Sequence, residues 1–191
     1  PAYVHLADLD RMRGRDAEGE RVIRRGLESM PDSPDLHEAL GLNLARQKRQ
    51  SADAERWYLA AIAADPYFAG AYNNLALLCQ DRGQVDRAID LYGRALAKAP
   101  RNAVVMNNLA SLYFATGENR EARVLWRKAA EADPKYASPL NNLAGLALSE
   151  GDNDAAAVFL DRALSLDPNY GDARINRSLL LRRRGDLVAA R

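Results

Sequence analysis

YNNLALLCQDRGQVDRAIDLYGRALAKAP, residues 72–100, decides how this chain is read. Tyr72, Leu75, Ala76 and Cys79 fall three and four apart, and Val85, Ala88, Ile89, Tyr92 and Ala95 do the same. That is the stripe of a helix with one buried face, and strict alternation is absent. Gly83 separates the two stripes and Pro100 closes the second, so the stretch predicts a helical hairpin with a glycine cap at its turn.

The same punctuation recurs along the whole chain. Pro66, Pro100, Pro134 and Pro168 are 34 residues apart, and Pro31 precedes Pro66 by 35. Three of them follow aspartate, in Asp65-Pro66, Asp133-Pro134 and Asp167-Pro168. Gly83, Gly117, Gly151 and Gly185 keep step. Small residues form three further series: Ala7, Gly41, Ala76, Ala110, Ala144, Ser178; Gly19, Ala54, Ala88, Ala122, Ala156, Ala190; and Gly26, Ala61, Ala95, Ala129, Ala163. Small side chains at fixed places let two helices approach closely. Leu6, Leu40, Leu75, Leu109 and Leu143 in the first helices, and Ile23, Tyr58, Tyr92, Trp126 and Leu160 in the second, are expected to fill the space between.

An apolar or aromatic residue, then Leu-Ala, Gly, Ala, an aromatic, Ala and Pro on a 34-residue frame resembles the tetratricopeptide repeat. The resemblance spans essentially the whole chain, with units 1–33, 34–68, 69–102, 103–136, 137–170 and a partial 171–191. It implies an all-α fold: a right-handed superhelical α-solenoid of antiparallel helix pairs, forming a single array with a concave face of first helices. Each hairpin is too small to bury its apolar side alone, so stability comes from stacking on its neighbours. Two departures are expected to matter. The second unit lacks the turn glycine and carries an extra residue within 46–51, which predicts a looser turn. The sixth stops at Arg191, early in its second helix, which suggests a longer chain or an end packed on another molecule.

Composition excludes several classes. A net charge of +1 gives no overall electrostatic case for nucleic acid. Apolar runs are too short to span a bilayer, so membrane insertion is not expected. Cys79 is the single cysteine, which rules out an internal disulfide and leaves the compartment open. The start at Pro1, already in a helical pattern, points to a fragment or a processed mature end.

Chemistry is sparse. His37-Glu38 begins like a zinc-protease motif, but Gly41 stands where the second histidine belongs. His37 reads instead as the occupant of the aromatic place that Tyr72 takes one unit later. Asp152-Asn153-Asp154 lacks the glycine and glutamate of a calcium loop and reads as a turn and helix cap. Cys79 reads as a buried filler. No catalytic residue, metal or cofactor is assigned.

The most informative polar feature is a pair in register: Asn73-Asn74, Asn107-Asn108, Asn141-Asn142, then Ile175-Asn176. Asparagine is a mediocre helix former, so its recurrence asks for a reason. An amide donates and accepts at once, which suits a peptide backbone. The column resembles the asparagine ladder in the repeat domain of O-linked N-acetylglucosamine transferase, where such amides hold an extended peptide. That resemblance makes Asn74, Asn108, Asn142 and Asn176 the backbone-binding column; bonding to neighbouring helices or water is the other reading. Leu77, Ser111, Phe114, Leu148 and Leu179 lie beside it on the same helical face. The lysine of carboxylate-clamp repeats is absent, since Asn73 stands in its place. Arg174, Arg177, Arg182, Arg183 and Arg184 concentrate positive charge near the end, as a basic mouth for an acidic partner or a solvated face. The expected partner is a protein or extended peptide, held by a non-catalytic scaffold. A substrate-recruiting arm of a larger enzyme, such as a glycosyltransferase, and homo-oligomer assembly through the uncapped end are the alternatives.

Overall fold

The computed structural model describes residues 2–47 and 51–185. Among them are eleven α-helices and no strand. The chain divides into two compact units, one up to Pro100 and one from Arg101.

The first unit holds α1 (Ala2–Met12), α2 (Asp16–Ser29), α3 (Pro34–Arg46), α4 (Ser51–Ala64), α5 (Ala69–Asp81) and α6 (Val85–Lys98). Consecutive helices pair as hairpins, and first helices also touch across repeats, α1 with α3 and α3 with α5. The second unit repeats the scheme with α7 (Ala103–Thr116), α8 (Asn119–Ala132), α9 (Ala137–Glu150), α10 (Asn153–Leu166) and α11 (Gly171–Arg183). There α7 touches α9, and α9 touches α11. The expected second helix of the sixth repeat, Ala190 with it, and residues 48–50, where most of the looser turn expected within 46–51 falls, lie outside the described residues.

Local chemistry sets each boundary. Gly117 and Gly151 end α7 and α9 at positive φ, where the N–H of Glu118 returns to Tyr113 O at 2.8 Å and that of Asp152 to Ala147 O at 2.9 Å. The recurring aspartates make turns: Asp65 Oδ1 accepts from the N–H of Tyr67 at 2.8 Å, Asp133 from Lys135 at 3.0 Å and Asp167 from Asn169 at 2.9 Å. The proline after each cannot continue a helix, so aspartate and proline together stop the second helix and aim the chain into the next first helix. Asn102 and Asp152 cap α7 and α10 through the N–H groups of Val105 and Ala155.

The small and large series meet as expected. Ile23, Tyr58, Tyr92, Trp126 and Leu160 are buried, and so are Ala54, Ala61, Ala88, Ala95, Ala122, Ala129, Ala156 and Ala163. Gly41 shows why the series is small: a Cβ there would lie 2.6 Å from the Tyr58 ring. Leu6 is the exception, half exposed, because among the described residues α1 touches α2 and α3 alone.

Candidate functional site

The asparagine pairs sit where first helices of successive repeats run side by side, and the two members of a pair do different things. Asn142 Nδ2 donates to Asn107 Oδ1 at 2.9 Å, and Asn176 Nδ2 donates to Asn141 Oδ1 at 2.9 Å. The second asparagine of one repeat thus clasps the first asparagine of the repeat before it. Asn107 and Asn141 are buried by the clasp, while Asn108, Asn142 and Asn176 are half-buried. In the first unit Asn74 Nδ2 makes the same bond, at 2.8 Å, but its acceptor is Glu38 Oε1. Asn73 Nδ2 donates to Asn74 Oδ1 at 3.2 Å. The bonding between helices, one of the two readings of the column, is therefore present. The Oδ1 atoms of Asn142 and Asn176 accept no hydrogen bond from any described residue.

The flanking positions are uneven. Leu77, Phe114 and Leu179 are exposed, and Ser111 is half-buried with its hydroxyl donating to Asn107 O at 2.9 Å. Phe114 leans on Trp126, the ring centroids 5.6 Å apart. Leu148 is buried in the core of α9, α10 and α11, so its side chain serves packing.

The C-terminal arginines split as well. Arg177 pairs with Asp161, Arg183 donates to Leu148 O, and Arg184 reaches Asp154 Oδ1 and Asn153 O. Arg174 and Arg182 are exposed without an ion-pair partner among the described residues. The free positive charge of α11 is thus smaller than the five-arginine count implied.

Glu38 was not singled out by sequence as a binding group. It is partly buried at the equivalent of Asn73, and burial, with Asp35 and Asp8 nearby, pushes its carboxyl up to about 7. Gly70 makes room, since a Cβ there would lie 2.5 Å from Glu38 Oε1. His37 is buried and stacks on Trp57 at 5.4 Å, the aromatic place expected of it. Cys79 is fully buried, and burial raises its thiol. No group of three or more His, Cys, Asp or Glu suited to a metal occurs among the described residues.

Four family models, each described as tetratricopeptide repeat, match residues 5–68, 57–90, 80–146 and 137–170. The chain belongs to the tetratricopeptide-repeat family. Proteins with these repeats are generally interaction scaffolds rather than catalysts. Solved structures share the fold. PilF of Pseudomonas aeruginosa is 20% identical with a TM-score of 0.83, covering 99% of this chain and 86% of its own. PilW, a widely conserved type IV pilus biogenesis factor, is 17% identical with a TM-score of 0.83, covering 99% and 87%. A thermophilic tetratricopeptide-repeat protein of Thermus thermophilus is 20% identical with a TM-score of 0.79, covering 94% and 97%. No curated protein sequence matches significantly. Among the described residues no helix of this tetratricopeptide-repeat chain is long and apolar enough to cross a membrane.

Proposed function

We propose that this chain is a non-catalytic scaffold that holds an extended peptide or partner segment along its first helices, the asparagine column gripping the segment's backbone. The observation that carries the reading is the state of Asn142 and Asn176. Each amide is fixed in orientation by one bond to the preceding repeat, yet keeps its carbonyl oxygen and a second N–H for a ligand. A preoriented amide loses little entropy on binding, which favours affinity. In the second unit Asn108, Ser111 and Phe114 on α7, with Leu179 and Arg182 on α11, supply side-chain contacts. In the first, Asn73, Asn74 and Leu77 on α5 do so. The mixed lining suits a peptide of moderate polarity and does not suit a carboxylate-terminated tail.

The test is a peptide selected from a random library against the whole chain. Replacing Asn108 and Asn142 with Ala is expected to weaken its binding by about 1 kcal/mol per lost bond. An unchanged Kd in the double variant rejects the column as the binding element.

A further inference from the structure

Between the first two repeats the asparagine clasp has no counterpart. Val4 and Glu38 stand at the places of the buried asparagine, and His5 and Ala39 at those of the donor. With Ala39 opposite Val4 no amide bridges α1 and α3, and a cleft of about 190 Å³ opens there. Its lining is apolar along Val4, Ala7, Ile23 and Leu42 and polar where Asp8, Arg11, Glu38 and Asn43 reach it.

The charges in and around the cleft do not balance. Arg11 is committed to Asp8, its Nη2 and Nε donating to Asp8 Oδ1 at 2.9 and 3.2 Å. Glu38 accepts from Asn74 through Oε1, and its Oε2 accepts from no described residue. The other groups that act on Glu38 or feel it are Asp35 on α3 and Tyr58 on α4, whose hydroxyl burial and Glu38 push up. None is a cation. The carboxyl, pushed up to about 7, behaves as a group missing a positive partner.

We propose that this cleft receives a lysine or arginine side chain of a partner segment, its methylene stem against Val4, Ile23 and Leu42 and its cationic head on Glu38. The inference deepens the scaffold reading and rests on it for the partner being a polypeptide. A long basic side chain carries an apolar stem and a charged tip, and the cleft has an apolar floor with a carboxylate at one side. A bare metal ion is a poor match, since the described residues offer no set of three ligands. A neutral apolar side chain would fill the floor and leave Glu38 Oε2 without a donor.

The probes are N-acetyl-lysine methylamide and its neutral counterpart N-acetyl-norleucine methylamide, with the Glu38 carboxyl followed by ¹³C NMR across pH in the whole chain. The lysine probe is expected to lower the Glu38 titration midpoint in a saturable way and to shift the Val4 and Leu42 methyl signals. In Glu38→Gln the lysine probe should bind at least tenfold more weakly while the methyl spectrum without probe stays folded. A Glu38 midpoint unmoved by the lysine probe overturns the proposal, as does an equal response to norleucine. These probes act at Glu38 on α3 and leave Asn108 and Asn142 on α7 and α9 untouched, so their failure is separate from an unchanged peptide Kd in the Asn108 and Asn142 double variant.

Discussion

Asn74 and Glu38, on α5 and α3, meet at 2.8 Å in the bond that two later repeats make between two asparagines. An ionisable group thus occupies a place where a neutral one suffices for the fold. Glu38→Gln keeps an acceptor for Asn74 and removes the charge. A carboxyl raised from 4.5 to about 7 contributes its full share of stability below pH 4.5, and that share is lost as pH rises through 7. Urea denaturation is therefore expected to show the variant more stable than the parent at pH 8, by about 2 kcal/mol after allowing for the part of the carboxylate that water reaches. The two should converge near pH 4. Parallel pH profiles would contradict the assigned environment of Glu38.

Glu55 has the opposite sign. It accepts from Arg82, at the end of α5, and from Arg87 of α6, and these bonds hold its carboxyl below the usual range. Its contribution is present above pH 4.5 and fades as the solution is acidified below that. Glu55→Gln is expected to shrink the loss of thermal stability between about pH 6 and pH 3, read by circular dichroism. Because Arg87 is exposed and Glu55 only partly buried, added salt should shrink it too.

Removing one half of a clasp leaves the other buried. Asn142→Ala strands Asn107 Oδ1, and Asn176→Ala strands Asn141 Oδ1, each on a buried residue. Each single variant is expected to lose about 1–2 kcal/mol in chemical denaturation.

Two glycines should respond in opposite directions. Gly41→Ala drives a Cβ to 2.6 Å from the Tyr58 ring and is expected to cost about 1–3 kcal/mol. Gly93, exposed within α6 with open space around it, gains from Gly93→Ala by about 0.5–1 kcal/mol through helix propensity. Differential scanning calorimetry of the two variants checks both signs.

The fold was legible because its determinants are local. Asp65-Pro66 and Gly83 act within a few residues of themselves, and a 34-residue period exposes them to inspection. Burial of Tyr58 or Trp126 followed from their place in that frame. Leu6 escaped the frame because burial depends on what lies on both sides of a helix, and among the described residues α1 touches only α2 and α3. The site was legible by half. The period revealed the asparagine column, but a bond from Asn142 to Asn107 joins residues 35 apart and one place out of register, which no list of equivalent positions displays. Glu38 was hidden for a related reason: it is the member that breaks the series, and its meaning lies in the amide opposite. The arginine cluster was overcounted because Asp154 and Asp161, which neutralise two of its members, lie on α10.

In both units the clasp runs the same way, from donor on the later repeat to acceptor on the earlier one. The side-chain dipoles therefore share a sense along each unit. A strand laid across them N-to-C and the same strand reversed would face different sequences of donors and acceptors. The polarity of the fold is in this way imprinted on its surface, so that, if the proposed segment binds there, reversing its sequence would change its affinity even when every side chain is retained.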